Sequence, residues 1–286
     1  MQMFADLHLH SSFSDGTYSP EELVQHARAR QLATIALTDH DTVEGCARTL
    51  AAAEQAGLEF LPGAEITTEV HGSELHLLSY LIDYEDPELL NAFARFQKVR
   101  QDRIREMVAR LNKLGIPLPA EAVFALAKCN APGRPHVARA LIQAGFCATL
   151  DEAFERFLKK NRPAWVPKFK ISAADAIALI HRAGGVAVMA HPGLSHCDEL
   201  IPELVESGMD GLECYHSRHN PAACEHYYLL AQEHELLITG GSDCHGMNKG
   251  KPLIGSIKLP YQHVQDLKAR SAEVRDRNRL LASAPS

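Results

Sequence analysis

The 286-residue sequence predicts an α/β fold: a distorted, TIM-like (β/α)7 barrel carrying a small helical insertion. Three observations lead there. Short apolar runs recur along the chain, amphipathic segments of helical period separate most of them, and histidines and carboxylates gather where the runs end. Alternation alone fits a parallel barrel or an open doubly wound sheet. The polar residues decide for the barrel, because it brings every strand end to one rim, whereas an open sheet spreads them along a line.

The elements follow in order. "MFADLH" (3–8) reads as the first strand. "SPEELVQHARARQ" (19–31) is a helix, with Ser19 as N-cap, Pro20 in the first helical position and Glu22 closing a capping box. "ATIALTDH" (33–40) is a buried strand, and the helix "TVEGCARTLAAAEQAG" ends at Gly57. "LEFLPGAEI" (58–66) and "ELHLLSYLI" (74–82) are two further strands. Residues 87–170 break the rhythm: a long basic helix from Pro87 to Gly115 and shorter helical pieces around "HVARALIQAG" and "LDEAFERFLKK" contain no convincing strand. The barrel is therefore assigned to 1–86 and 171–286, and the insertion to 87–170. Beyond it come the helix "AADAIALIHRAGG", the strand "VAVMAH", the helix "DELIPELVESG", the strand "DGLECYH", the helix "PAACEHYYLLAQEHE" and the strand "LLITGGSDCH". One last helix is expected from about residue 262.

Composition narrows the function classes. Apolar residues form 46% of the chain, enough for a large core, and no apolar run is long enough to span a bilayer. No signal peptide is visible at the N-terminus. Seven cysteines without a C-x-x-C pair support neither a disulfide framework nor a zinc knuckle, and point to a reducing, cytoplasmic setting. There is no G-x-G-x-x-G and no P-loop, which disfavours Rossmann or Walker nucleotide binding. A net charge of −7 argues against a duplex-DNA binder, yet residues 95–170 hold 16 Lys and Arg against 6 Asp and Glu. A basic wall on an acidic barrel suggests an anionic ligand between them.

The 16 histidines are the unusual feature. The first strand closes with His8 and His10, the second with Asp39 and His40, the third with Glu65, and the fourth carries His76. The last three end in His191, in Glu213 with His216, and in Asp243 with His245. Residues two apart on a strand share a face, so His8 and His10 can grip one ion, and Asp243 with His245 repeats the pattern around an outward-packing Cys244. Imidazoles mixed with carboxylates suit Zn, Mn or Fe, and so many ligands suit two or three ions sharing Glu65 as a bridge. The helical His26, His181, His226 and His234, with His196 and His263, read as surface residues.

"DLHLHSSFSDG", "LTDHDT", "GAEI", "MAHPG" and "GSDCHG" resemble the motifs of the PHP (polymerase and histidinol phosphatase) family over nearly the whole chain. The resemblance implies a distorted seven-stranded barrel and a cluster of two or three divalent ions that hydrolyses phosphoesters, Mn foremost and Zn or Fe as alternatives. The ligands it implies are His8, His10, Asp15, His40, Glu65, His76, His191, Asp243 and His245. "GRPHVARAL" (133–141) resembles a segment of bacterial PHP enzymes acting on nucleotide phosphates, 3′,5′-nucleotide bisphosphate phosphatases and a related 5′-3′ exoribonuclease. That implies Arg134 and His136 as phosphate ligands, with Arg100, Arg103 and Lys168 as further candidates.

The expected reaction is in-line attack on phosphorus by a metal-bound hydroxide, with Asp39, His216 or a water as the candidate proton donor. The expected substrate is a small phosphorylated nucleotide, most simply the 3′-phosphate of a 3′,5′-bisphosphonucleotide, or a short single-stranded RNA end. Duplex DNA, a membrane and an obligate protein partner are not expected. The rivals are a 5′-3′ exoribonuclease, a histidinol-phosphate phosphatase and, from a different class, an amidohydrolase acting on a C–N bond.

Overall fold

Most strands form where a short apolar run is buried, and the side chains of Ser19, Asp86, Thr149, Ser172 and Asn220 cap the helices that follow them. The computed structural model describes residues 3–167, 171–249 and 251–283. Its strands are β1 (Phe4–Leu9), β2 (Thr34–Leu37), β3 (Glu59–Val70), β4 (Ser73–Tyr80), β5 (Ile171–Ser172), β6 (Val186–Met189), β7 (Gly211–His216), β8 (Leu237–Gly241) and β9 (Leu259–Pro260). The main sheet runs β8-β7-β6-β4-β3-β2-β1-β9, with β5 added beside β3. It nearly closes on itself where β1 meets the segment after β8: the His10 amide donates to the Cys244 carbonyl at 3.0 Å, and Leu9 bridges Cys244 in parallel register.

One expectation is corrected. The strands are not all parallel, because β4 runs antiparallel to both β3 and β6. His71 and Gly72 join β3 to β4 in a two-residue turn with φ of 49° and 83°, the left-handed geometry that a tight hairpin demands. Reversing β4 puts its early residues on the rim where the other strands end. His76 therefore arrives at the same mouth from the opposite direction, across from Thr67 of β3.

The barrel helices are α1 (Pro20–Ala29), α2 (Cys46–Ala56), α7 (Ala173–Arg182), α9 (Ile201–Glu206), α10 (Pro221–Glu233) and α11 (Gln262–Ser283). A short turn of helix, α8 (Pro192–Ser195), follows β6. Ser19 caps α1 and Glu22 returns the bond, completing the capping box read from sequence. Gly57, at φ 62°, ends α2. His181 departs from its surface reading: its ring bonds the buried Asp210 at 2.8 Å, and Arg270 of α11 bonds the other oxygen of that carboxylate at 3.0 Å. Among the described residues no helix is long and apolar enough to cross a membrane.

Between β4 and β5 the chain forms α3 (Pro87–Lys113), α4 (Ala120–Ala127), α5 (Arg134–Gln143) and α6 (Leu150–Ala153), which runs into a π-helical turn at Phe154–Leu158. These helices pack their own apolar cluster, including Ile104, Met107, Leu111, Val123, Leu141 and Leu158. The first turns of α3 bury Leu89 and Phe93 in the barrel's outer cluster instead, so one continuous helix ties both cores together.

Inside the sheet, Leu7, Leu61, Leu78, Tyr80 and Val188 form an inner cluster, joined by Val264 and Leu267 of α11. The β1–β2 register shifts between Asp6 and Leu9. Leu7 thus belongs to the inner cluster while its neighbour His8 joins the polar group above it, the re-aiming that bulges beside functional sites provide. The closing seam needs Gly241, because a Cβ there would sit 2.2 Å from the His8 Cβ and 2.4 Å from its amide nitrogen. Gly241→Ala is expected to lower stability by about 2–3 kcal/mol through overpacking, measured as a shifted urea midpoint with an unchanged slope.

Candidate metal centre

The strand ends converge on one carboxylate. Glu65 Oε2 lies 3.3 Å from His8 Nε2, 3.2 Å from His10 Nε2 and 3.3 Å from His40 Nδ1. Its Oε1 lies 2.5 Å from His76 Nδ1 and 3.0 Å from His191 Nε2. Asp243 Oδ1 approaches His8 Nε2 at 3.6 Å, His10 Nε2 at 3.3 Å and His245 Nδ1 at 3.3 Å. Asp15 crosses the Ser-rich turn and meets His245 Nε2 at 3.2 Å. Eight of the nine sequence-read ligands thus fall into three overlapping groups with closely spaced ligand atoms (His8, His10 and Asp243; His10, Asp15, His40 and His245; His40, Glu65 and His76), and the ninth, His191, joins them through Glu65.

Local backbone geometry aims these side chains. His191 and Asp243, at the ends of β6 and β8, have φ of 32° and 52°, a left-handed conformation that non-glycine residues adopt only when their surroundings enforce it. Glu213 of β7 supplies part of that enforcement. Its Oε1 bonds His8 Nδ1 at 2.9 Å and its Oε2 accepts the His191 amide at 2.8 Å, so it turns His8 Nε2 toward the cluster and pins the start of α8.

The electrostatics call for cations. Burial alone would raise the Asp15, Glu65 and Asp243 carboxyls, but the surrounding imidazoles outweigh it and hold all three well below the usual range. Burial works against a charge on His8 and His10 as well. The carboxylates prevail there too, lifting His8 well above its ordinary value and His10 to about 9. His40 and His191, for which burial wins, are held neutral. The Nδ1 atoms of His10, His40 and His191 are buried with no hydrogen-bond partner among the described residues. Buried carboxylates that draw protons onto neighbouring imidazoles, beside neutral imidazoles with free nitrogens, form a donor set that fits divalent ions.

The PHP domain profile matches residues 6–92, which carry His8 through His76. The chain is 33% identical over 270 residues to the 3′,5′-nucleoside bisphosphate phosphatase of Chromobacterium violaceum, covering 92% of each protein. It is 33% identical over 247 residues to the 5′-3′ exoribonuclease Rnm of Salmonella typhimurium, covering 84% of each. The chain belongs to the PHP family. A candidate metal-dependent phosphoesterase from Bifidobacterium adolescentis superposes with a TM-score of 0.87 at 33% identity, over 94% of this chain and 96% of that one. This PHP protein is a metal-dependent phosphoesterase, and its nearly closed barrel is the fold of its relatives.

The remaining sequence-read residues of the PHP site are placed as follows. Asp39 faces the Ser-rich turn, where Ser11 and Ser14 hydroxyls both donate to it at 2.5 Å and the Ser11 amide at 2.7 Å. His216 Nε2 lies 3.5 Å from Asp243 Oδ2, while its Nδ1 accepts the Arg218 amide at 3.2 Å. Arg100 pairs with Asp41 at 2.6 Å, and Arg103 donates to the Val166 carbonyl at 2.9 Å. His136 is buried, accepts the Gly133 amide on Nδ1 at 3.0 Å and is held neutral by burial, with its pKa lowered to about 4. Lys168 lies outside the described residues. Burial, reinforced by Arg134 and Arg100, lowers Arg103 to about 9, and burial also lowers Arg134.

Three partners escaped the sequence reading. Arg139 of α5 donates to the Asp15 carbonyl at 3.0 Å and to the Asn248 side chain at 2.7 Å, while Asn248 bonds that same carbonyl at 2.5 Å. Asp41 holds Arg100. One basic residue among many and an asparagine after "GSDCHG" carry no spacing signal that could have singled them out. Asp41, inside "LTDHDT", stands beside a metal-ligand candidate, and no local spacing marks it as the partner of Arg100.

Metal binding must displace the protons that His8, raised well above its ordinary value, and His10, raised to about 9, hold in the metal-free protein. Affinity for Mn²⁺ is therefore expected to rise with pH between 7 and 9, with proton release into weakly buffered solution on titration. Calorimetry in two buffers of different ionisation enthalpy reads both, and a pH-independent affinity without proton release would contradict the electrostatics.

Proposed function

We propose that this PHP phosphoesterase hydrolyses a phosphate monoester of a nucleotide, the 3′-phosphate of a 3′,5′-bisphosphonucleotide. The observation that carries the reading is the placement of Arg103 and Arg134. Both open into a cleft of about 540 Å³ whose opposite wall is the β3–β4 hairpin that delivers His76. Two guanidiniums that burial disfavours, with Arg134 lowering Arg103 further, are poised for a phosphate they can bind bidentately. The names of the two relatives, a bisphosphonucleotide phosphatase and an exoribonuclease, support a nucleotide over other phosphomonoesters.

In this reading His8, His10, Glu65 and Asp243 would hold one ion, Asp15, His40 and His245 a second, and His76 and His191 a third, with Mn the first choice. Bound there, divalent ions supply Lewis acidity, neutralising phosphoryl charge and making water acidic enough to act near neutral pH. The rest is done by the chain. Glu213 fixes the His8 tautomer, and Arg103 and Arg134, on the 87–170 insertion, hold the phosphate that is not cleaved. His136, two residues beyond Arg134 on α5, keeps a neutral imidazole whose Nδ1 accepts the Gly133 amide. His216 is the better-placed proton donor of the two candidate side chains: its Nδ1 already accepts a backbone amide, so its proton resides on Nε2, facing Asp243. Asp39, with both oxygens engaged by serines, organises the turn that carries Asp15. We place the reaction in the cytoplasm, in keeping with seven free cysteines.

His8→Ala and Asp243→Ala are expected to lose at least one bound ion per chain, read by elemental analysis, and to lower kcat by 10³-fold or more. Full turnover by either variant would sink the assignment. Mn-supplemented assays on adenosine 3′,5′-bisphosphate, AMP, histidinol phosphate and a 5′-phosphorylated short RNA, run side by side, should give the highest kcat/KM for the bisphosphonucleotide. Preference for the RNA would favour the exoribonuclease reading.

A further inference from the structure

A second cleft, of about 700 Å³, opens directly beside the metal centre. It reaches the ligand cluster at Asp15 and His245, and its opposite wall is formed by Pro135, Leu150 and Phe154 of the insertion, with Asn248 at its edge. Its character differs from the arginine-lined cleft: the insertion presents Pro135, Leu150 and Phe154 together with Thr149 and Asp151, and no Arg or Lys lines it among the described residues.

Phe154 is the partition between the two clefts. Its ring lies under the Arg134 guanidinium, 5.7 Å from centroid to Cζ, and Arg134 faces the first cleft while Phe154 lines the second. Arg134 and Pro135, adjacent at the start of α5, divide in the same way. The helix carrying Phe154 widens into a π turn at that residue, a local irregularity that costs regular hydrogen bonding and recurs at functional sites. The ring remains half-buried, packed on the insertion's own cluster and open toward the cleft.

We infer that the Phe154 cleft is the nucleobase subsite, with Phe154 and Pro135 as its stacking platform. This rests on the nucleotide reading above and adds what that reading leaves open: a bisphosphonucleotide would meet the chain at three points, one phosphate at the metal centre, the other at Arg103 and Arg134, and the base against Phe154. Aromatic faces accept any base, so the subsite recognises a base by stacking and discriminates weakly among the four. Trp165 is the competing platform, but it lines the cleft that the arginines commit to phosphate.

The test compares adenosine 3′,5′-bisphosphate with the base-free ribose 3,5-bisphosphate on the Mn-loaded enzyme. The wild type is expected to show a KM about 5- to 100-fold lower for the nucleotide, the range of one stacked base. Phe154→Ala should collapse that ratio toward one, while Phe154→Trp and Trp165→Ala keep it. Fluorescence anisotropy of 1,N6-ethenoadenosine 5′-monophosphate on the metal-free protein should show the same loss of affinity in Phe154→Ala, independent of turnover. Equal KM values for the two substrates in the wild type, an unchanged ratio in Phe154→Ala, or a ratio lost in Trp165→Ala instead would overturn the subsite while leaving the nucleotide reading intact. A wild type that hydrolyses no nucleotide would remove the reading itself, and the subsite with it.

Discussion

The fold is organised around one buried carboxylate. Glu65 sits mid-strand in β3 with imidazoles from β1, the end of β2, β4 and the end of β6 within 3.3 Å of its two oxygens. Burying such a charge is costly unless positive charge or hydrogen bonds compensate it. Asp15 and Asp243 add two more carboxylates to the same volume, so the compensation cannot come from one neighbour. It requires most of the strands to end at one mouth, which is what a nearly closed barrel achieves.

Three departures from an ideal parallel barrel serve that convergence. The hairpin at His71 and Gly72 reverses β4, so His76 meets Glu65 from a strand running the opposite way. The register shift in β1 lets Leu7 fill the inner core while His8 turns to the site. Left-handed backbone at His191 and Asp243 bends the ends of β6 and β8 inward. Each costs local regularity, and Glu213 braces two of them, the shifted β1 through His8 Nδ1 and the end of β6 through the His191 amide.

The insertion supplies the opposite kind of charge. Its helices have a core of their own, but α3 is anchored in both cores and α5 reaches the centre through Arg139, which grips the Asp15 carbonyl and Asn248. One cleft opens beside the ligands Asp15 and His245, and the other lies where the insertion's Arg103 and Arg134 face Glu69 and Glu74 of the β3–β4 hairpin. Their contrast, arginine-lined on one side and aromatic on the other, suits a ligand that is anionic at one end and flat and apolar at another.

The sequence by itself determined the strand and helix order, the helical interruption from Pro87, the basic surplus of the insertion and the identity of the converging ligands. Those are carried by local signals: apolar runs, capping residues, and same-face spacing in "HLH" and "DCH". Tertiary structure alone decided the direction of β4, because a two-residue turn reads equally well as a loop until the register pairs Thr67 with His76. It also decided which polar residues serve the site and which serve the scaffold. Asp39 stands beside His40 in sequence, yet its oxygens face the serines of the turn, and His181, read as a surface residue, holds the buried Asp210. Glu213, Arg139 and Phe154 act through contacts with residues at least 20 positions away, and no spacing along a chain encodes such distances; only folding brings them within bonding range.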